Sequence, residues 1–224
     1  MSMATVISLI GGLGLFLYGM KLMSEALEKA AGAKMRSILE FFTKNKLMGT
    51  FVGIVFTAIV QSSSATTVMV VSFVNSGLMT LAQAAGVIMG ANIGTTVTSQ
   101  LIAFDLSKIA PLFVMIGVVM MMISKKVKVK RFGEVVLGFG ILFVGLSTMS
   151  GAMSGFRNSQ VIVDMLSSLD NHLLAIVIGF AITAILQSSS ATVGIVLLMA
   201  TQGLLHLDIC FFLILGCNVG SCVS

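Results

Sequence analysis

Two short runs of hydroxyl and amide side chains stand inside otherwise apolar sequence. The first is Gln61-Ser62-Ser63-Ser64-Ala65-Thr66 and the second is Gln187-Ser188-Ser189-Ser190-Ala191-Thr192. Clustered hydroxyl donors suit a compact oxyanion, above all beside the N–H groups that begin a helix. Hydroxyl, amide and freed backbone carbonyl oxygens are also ligands that a sodium ion prefers. The two runs therefore predict a site for a small anion, for sodium, or for both.

A second polar pattern, G-x-N-x-G, follows each run at the same distance. It consists of Gly90-Ala91-Asn92-Ile93-Gly94 in one half and Gly216-Cys217-Asn218-Val219-Gly220 in the other. Glycines at this spacing would let the backbone come close to an ion or to a neighbouring helix. Close helix packing alone is a common cause of such a pattern, and the paired asparagines favour a binding role.

A structural interpretation also exists for the hydroxyl groups. Single Ser or Thr residues such as Ser8 and Ser72 are typical of packed helix interfaces in membranes. Packing does not need three consecutive serines that face several directions, nor the same run in both halves. The two runs are therefore interpreted as functional.

The chain repeats itself. Sliding the sequence against itself without a gap places Gly49–Thr98 on Ala175–Ser224. We therefore divide it into membrane repeat one, residues 1–126, and membrane repeat two, residues 127–224. The second repeat stops inside what should be a helix and lacks a counterpart of Ser99–Lys126, so we expect a fragment of a longer protein.

The composition indicates which elements must carry these runs. Hydrophobic residues make up 57% and charged residues 9% of the chain, against roughly 45–50% and about 25% in soluble domains. Lipid must cover the surplus apolar surface, which predicts an all-α integral membrane protein. Five segments qualify or nearly qualify as spanning helices: Ala4–Met23, Ala82–Phe104, Ala110–Ser124, Gly133–Met149 and Leu207–Val223.

The polar runs interrupt two further apolar segments, Leu47–Gly77 and His172–Gly203. In the first, the seven residues Gln61–Thr67 separate two apolar arms that are each too short to cross a bilayer. Irregular backbone at membrane depth persists only where it lines a cavity or is buried in protein. Both segments are predicted to be re-entrant hairpins or discontinuous helices.

Basic residues predict the orientation of the repeats. The connectors Ser24–Lys46 and Lys125–Arg131 are rich in Lys and Arg and should be cytoplasmic, whereas Ser150–Asn171 holds only Arg157. Ser24–Lys46 is either a loop or an amphipathic helix on the cytoplasmic surface. The two repeats should thus have inverted topology, and inverted repeats with broken helices are typical of secondary transporters.

Several classes of function are not supported by the sequence. No G-x-x-x-x-G-K-[ST] loop for ATP occurs, and no base lies near the serines, so an enzyme is not expected. No carboxylate lies centrally in a predicted span, which argues against a proton relay. The basic residues are interpreted as topology signals and not as a nucleic-acid surface. We interpret the three cysteines as apolar packing residues and the two histidines as solvated or packing residues: Cys210, Cys217, Cys222, His172 and His206.

These patterns resemble the sodium-dependent phosphate cotransporter family, the type II sodium–phosphate symporters and their bacterial relatives. The resemblance covers nearly the whole chain. In that family the two Q-S-S-S segments meet near the membrane centre and form the sodium and phosphate site. The resemblance implies that the binding residues are Gln61, Ser62, Ser63, Ser64, Thr66, Thr67, Asn92, Thr95, Thr96, Gln187, Ser188, Ser189, Ser190, Thr192, Asn218 and Ser221. The second G-x-N-x-G arm departs from the first, with Cys217, Ser221 and Cys222 in place of Ala91, Thr95 and Thr96.

The expected function is sodium-coupled symport of inorganic phosphate by alternating access in a multi-pass protein of the plasma membrane. Sodium is the coupling ion, and no cofactor is expected. The alternatives are a sodium symporter for another small oxyanion and a non-transporting membrane partner in phosphate signalling. The expected partners are phosphate, sodium and the lipid bilayer. A homodimer and a soluble domain or protein like a phosphate-uptake regulator are further candidates.

Overall fold

The computed structural model describes residues 3–42, 45–104, 106–157 and 171–223, and it is helical almost throughout them. Two single-turn 3-10 helices, Leu106–Lys108 and Ser221–Val223, lie among the α-helices. No strand occurs in this part of the chain, so the all-α prediction is confirmed for it. The α-helices are α1 Met3–Phe42, α2 Lys46–Val60, α3 Ser63–Asn75, α4 Leu81–Ala103, α5 Ala110–Ile123, α6 Val127–Arg157, α7 His172–Leu186, α8 Ser189–Thr201 and α9 Leu207–Gly220.

The chain divides into two compact units that alternate along the sequence. Unit 1 contains Met1–Met20, Ile102–Met115 and Gly138–Ser224, and unit 2 contains Lys21–Leu101 and Ile116–Leu137. Each unit therefore holds one of the two polar runs.

In unit 2, helices α2 and α4 pack side by side and run in the same direction. A Cβ atom on Gly86 of α4 would overlap the carbonyl of Lys46 of α2, and one on Gly90 would overlap that of Thr50. The contacts thus advance by about one helical turn in the same sense on both helices. Because α4 begins level with the start of α2, the chain must run back along α3 before α4 begins. Helices α2 and α3 therefore form a hairpin.

Unit 1 contains the same arrangement built from α7, α8 and α9. A Cβ atom on Gly216 of α9 would overlap the carbonyl of Ile176 of α7, and one on Gly220 would lie 2.6 Å from that of Phe180. Helices α7 and α9 are therefore parallel, and α7 and α8 form the second hairpin. Of the two arrangements that the sequence leaves open, the local geometry is that of a hairpin in both copies.

Each hairpin is packed on its following helix by an apolar core. In unit 2 this core contains Phe56 of α2, Phe73 of α3 and Val87 of α4, each at most 1% exposed. In unit 1 it contains Ala175 of α7, Val196 of α8 and Leu213 of α9. Tight packing of this kind gives each bend a rigid frame.

Of the two alternatives predicted for Ser24–Lys46, residues 24–42 adopt the helix, because α1 continues without a break to Phe42. The segment is rich in Ala, Leu, Glu and Lys, which are strong helix formers, and it contains no proline. Glu25 also pairs with Lys21 and Lys29, one turn away on either side, at 3.9 and 3.4 Å. Favourable local propensity thus outweighs the polarity that suggests a loop.

The predicted connector Ser150–Asn171 begins later than expected. Helix α6 continues to Arg157, and residues 158–170 of the connector lie outside the described residues.

Two helical stretches among the described residues, Met3–Ala30 and Val127–Ser154, are long and apolar enough to cross a membrane by length and composition. They contain the predicted spans Ala4–Met23 and Gly133–Met149. The predicted spans at α5 and α9 are helices of 14 residues each, about 21 Å long. That is less than the ~30 Å hydrocarbon thickness, so the number of crossings stays a prediction.

Candidate functional site

The first polar run forms the bend between α2 and α3. Gln61 adopts the left-handed backbone conformation, with φ 59° and ψ 23°, and its N–H donates to the carbonyl of Thr57. Ser62 is extended, and its Oγ caps α3 by accepting the N–H of Ala65 at 3.2 Å. A left-handed conformation costs a non-glycine residue roughly 1–2 kcal/mol. The surrounding structure must therefore hold Gln61 in place.

The second run repeats this geometry at the bend between α7 and α8. Gln187 has φ 54° and ψ 26°, and its N–H donates to the carbonyl of Thr183. Ser188 is extended and accepts the N–H of Ala191 at 3.3 Å. Among the described residues, Gln61 and Gln187 are the non-glycine residues with positive φ. Only two residues leave the helix at each bend, so the break in the helix is shorter than the polar run Gln61–Thr67.

The two glutamine side chains close the ends of their own helices. Nε2 of Gln61 donates to the carbonyl of Ala58, and Nε2 of Gln187 donates to that of Ala184 at 2.7 Å. In unit 2, Ser24 of α1 also donates to the carbonyl of Val60 at 3.1 Å. The last carbonyls of a helix lack partners within it. Part of the polarity of each run thus stabilises the bend itself.

A buried pair of threonines ties the arms of the first hairpin together. The hydroxyl oxygens of Thr57 and Thr66 lie 3.0 Å apart, and both residues are 0% exposed. Thr66 donates its proton to the carbonyl of Ser62 at 2.8 Å. Thr57 must then donate to Thr66, which makes a chain of hydrogen bonds from α2 through α3 to the bend.

The second hairpin contains the same chain. Thr183 donates to Thr192 at 3.0 Å, and Thr192 donates to the carbonyl of Ser188 at 3.2 Å. Both threonines are 1% exposed. The candidate ligands Thr66 and Thr192 are therefore enclosed, with their protons donated to the backbone of the bend. Thr57 and Thr183 were not predicted as site residues, although their position four residues before each glutamine is a signal that the sequence contains.

Helix α4 also reaches the first bend. Thr98, which is 3% exposed, donates to Oε1 of Gln61. Thr98 was not predicted either, but it lies one turn after Gly94, on the side of α4 that packs on α2. Its counterpart in repeat two, Ser224, lies outside the described residues, and Gln187 is more exposed than Gln61.

The glycines of the G-x-N-x-G patterns allow α4 and α9 to pack closely against α2 and α7. A Cβ atom on Gly94 would lie 3.0 Å from the Cβ of Thr57. Asn92 lies two residues away, on the opposite side of α4, and it is exposed. Within each unit the asparagine is therefore not brought to the bend.

Four of the other predicted hydroxyl groups bond to their own helices. Each donates to a carbonyl three or four residues earlier, at 2.7–3.0 Å: Thr67 to Ser63, Thr95 to Ala91, Thr96 to Ile93 and Ser221 to Cys217. Asn218, like Asn92, is exposed.

One serine at each bend keeps its hydroxyl available. Among the described residues, the Oγ atoms of Ser63 and Ser189 have no hydrogen-bond partner, and both side chains are half-buried. By contrast, Ser190 contacts Ser188 at 3.4 Å and the sulfur of Met20 at 3.5 Å. Ser63 and Ser189 are the first residues of α3 and α8, at the positive end of each helix dipole.

The residues of the two bends have no acidic or thiol side chain, and the Cys217 thiol bonds with Thr183 beside the second bend. No group of three or more His, Cys, Asp or Glu residues that could hold a metal ion occurs in the described part of the chain. A cation would have to bind neutral oxygen atoms, whereas an anion would meet hydroxyl protons and first-turn N–H groups. His172, at the start of α7, stacks against Phe212 with ring centroids 4.2 Å apart, which agrees with a packing role.

The described residues form an apolar, helical structure with a serine-rich helix start at each of two matching bends. The model of the Na+/Pi-cotransporter family matches residues 15–151 and 154–224. The chain belongs to this family, which confirms the resemblance that the sequence motifs indicate. Membership of a transporter family implies a location in a membrane.

Curated relatives include bacterial and animal proteins. "Putative inorganic phosphate export protein YjbB" of Escherichia coli (strain K12) is 30% identical over 98% of this chain, which spans 40% of that protein. "Uncharacterized protein YqeW" of Bacillus subtilis (strain 168) is 32% identical over 93% of this chain, which spans 68% of that protein. Human "Sodium-dependent phosphate transport protein 2B" is 40% identical over 44% of this chain and 14% of its own length. No solved structure matches the chain.

Proposed function

We propose that this chain is the transport part of a carrier that moves inorganic phosphate across the cytoplasmic membrane together with sodium, by alternating access. The observation that carries the proposal is the doubled bend, in which Ser63 and Ser189 present unengaged hydroxyl groups at helix starts. Family membership supports phosphate as the substrate.

In this proposal each bend supplies two kinds of ligand. The hydroxyl protons of Ser63 and Ser189 and the first-turn N–H groups donate to phosphate oxygens, and each hydrogen bond to a charged group contributes about 1.5–3 kcal/mol. The glutamine Oε1 atoms and serine oxygens coordinate sodium. A site of neutral oxygens with no carboxylate lets sodium offset the charge of the anion, which gives a physical reason for coupled binding.

The direction of transport follows from the gradients. A sodium symporter moves phosphate inward when the sodium gradient dominates, and the same cycle runs outward when the phosphate gradient is larger. The human relative's name states sodium dependence and the YjbB name states export. We propose net uptake under an inward sodium gradient, with export as the second candidate, favoured by the YjbB names.

The test is labelled phosphate uptake into proteoliposomes that contain the purified chain. Uptake should require an inward sodium gradient, continue without ATP, and reverse when phosphate is loaded inside. Equal uptake in potassium with only a proton gradient would refute sodium coupling. Unlabelled sulfate should not compete, and competition as strong as that of phosphate would favour a carrier for another oxyanion.

We further propose that the chain crosses the membrane several times, with the two repeats inverted. The outer stripe of α2 supports lipid contact, because Leu47, Phe51, Val55 and Ile59 recur one turn apart and are 86, 62, 40 and 39% exposed. A homodimer and a soluble regulator stay predictions from the sequence.

Cysteine labelling tests the orientation. Cysteines replacing Lys34 and Ser159, which lie outside the residues whose side chains are described, should react with an impermeant thiol reagent from opposite sides. Reaction from one side only would indicate parallel repeats.

A further inference from the structure

Unit 1 contains a cavity away from the start of α8. Its volume is about 610 Å³, and its lining residues come from the ends of α4 and α8, from α6 and from the 3-10 turn Leu106–Lys108. Ser189 begins α8 and Thr201 ends it, so the cavity lies about 18 Å along the helix from the serine bend. The cavity and the bend are therefore separate places in the same unit.

The polar lining of this cavity includes several hydrogen-bond donors. Lys108 and Ser147 are exposed, and Nε2 of Gln202 donates to Oγ of Ser150 at 2.7 Å. That bond leaves the Ser150 proton and the second Nε2 proton available. Among the described residues, no carboxylate lines the cavity and no acid forms an ion pair with Lys108. A donor set with one positive charge suits a compact oxyanion.

Lys108 is the one basic residue in a long stretch of the sequence. Between Lys46 and Lys125 the chain contains no other basic residue. The single acid of that stretch, Asp105, lies outside the described residues. A lone ammonium group in a concave, partly apolar wall attracts anions more strongly than one on a flat, solvated surface.

The segments that line the cavity are also ones that the distribution of Lys and Arg predicts to lie on the same side of the membrane. If Lys46 is cytoplasmic and the hairpin returns to that side, α4 ends outside, near Lys108. The α6 segment near Ser150 and the end of α8 near Gln202 are then outside as well. Their convergence within unit 1 agrees with that topology and places the cavity at an outer mouth.

We propose that this cavity is a second binding site, for inorganic phosphate at the outer mouth, which holds the anion before it reaches the serine bends. The inference rests on the proposed function for its role in transport, but binding itself does not. Lys108 supplies the charge, and Ser147, Ser150 and Gln202 supply the remaining donors. The volume leaves room for several of the anion's water molecules.

A rival role for Lys108 is purely structural. Helices α4 and α8 both end at the cavity, and a positive charge near helix C-termini offsets their dipoles. The phosphate group of an anionic lipid has the same chemistry as free phosphate and would meet the same donors. The experiment therefore has to separate free phosphate from both.

The test uses Ser147→Cys in a background with Cys210, Cys217 and Cys222 replaced. The purified protein is reconstituted in phosphatidylcholine vesicles and labelled with impermeant methanethiosulfonates, one anionic and one cationic. The anionic reagent should react several-fold faster, and millimolar phosphate should slow it. Lys108→Gln should remove both effects and Lys108→Arg should keep them. Ser154→Cys, an exposed α6 position outside this cavity, should show neither effect.

In transport, Lys108→Gln should raise the half-saturation concentration for phosphate several-fold at low salt and leave the maximal rate unchanged. Equal rates for the two reagents, each taken relative to its rate with a small thiol in solution, would show that the cavity does not favour an anion, and would overturn the proposal. Protection by added phosphatidylglycerol but not by phosphate would assign the cavity to lipid and also overturn it. Phosphate protection in a protein that takes up no phosphate would refute the proposed function and leave this site standing.

Discussion

The buried threonine pair offers a direct test of what holds the bends. Thr57→Val keeps the shape of the side chain and removes the proton that Thr57 donates to Thr66. A net hydrogen bond contributes about 0.5–1.5 kcal/mol, and loss of a partner in a buried site costs about 1–3 kcal/mol. The bond also helps to hold the left-handed Gln61, so we expect a loss of about 1–2 kcal/mol. Thr183→Val should lose at least as much, because Thr183 makes the same bond to Thr192 and a further one with the Cys217 thiol.

The cysteines of the chain provide the assay. The protein has no tryptophan, but Cys210 and Cys217 are buried and Cys222 is exposed. In a Cys222→Ser background, a thiol-reactive dye should therefore report unfolding as the buried thiols become accessible. For a chain of this size, 1 kcal/mol shifts the thermal midpoint by about 2–4 °C, so a fall of about 2–8 °C is expected.

Thr57→Ser is the matched control, because it keeps the hydroxyl group and removes only a methyl group. It should restore most of the midpoint that Thr57→Val loses and also restore phosphate uptake. If Thr57→Val and Thr183→Val both melt at the wild-type temperature, the hydroxyl chain does not stabilise the bends. If Thr57→Ser is as unstable as Thr57→Val, methyl packing and not the hydrogen bond is responsible.

Two further predictions concern the same hairpins. Gly90→Ala should destabilise the protein by about 1–3 kcal/mol, because a Cβ atom would overlap the Thr50 carbonyl. Gly14→Ala is the control and should not destabilise it, because a Cβ atom there meets no atom within 4 Å. Equal thermal midpoints for the two variants would refute close packing at Gly90. Ser63→Ala and Ser189→Ala should each weaken phosphate binding about ten- to a hundredfold without lowering the melting temperature, and the double variant should be non-additive if both serines contact one ion. Two single variants that each keep half the maximal rate with an unchanged half-saturation constant would indicate two independent sites.

The position of each bend could be predicted from the sequence. A run such as Gln61-Ser62-Ser63-Ser64 between short apolar arms is costly to place in lipid unless the backbone turns and its polar groups find partners. The same run occurs at Gln187, so the sequence predicts a second bend there. The sequence could not distinguish a hairpin from a discontinuous helix, because the hairpin depends on the parallel packing of α2 and α4. That packing involves residues far apart in the chain.

The hydrogen-bond partners of the individual polar residues could not be predicted either. Thr66 resembles a ligand in the sequence, but its hydroxyl is enclosed because Thr57 lies opposite it once the hairpin closes. Thr98 looks like an ordinary helix residue, and only the packing of α4 brings it to Gln61. For the segment after Ser24 the sequence left a loop and a helix open, because its charges suggest a loop whereas its helix propensity favours a helix.

The bends give a structural reason for part of the polarity of each run. A reversal of the chain inside an apolar environment leaves helix ends whose N–H and carbonyl groups need partners. At the first bend, the side chains of Gln61, Ser62 and Thr66 supply such partners. The hydroxyl of Ser63 bonds to none of the described residues. Substitutions at the first three positions should therefore lower stability and transport together, whereas Ser63→Ala should lower transport alone.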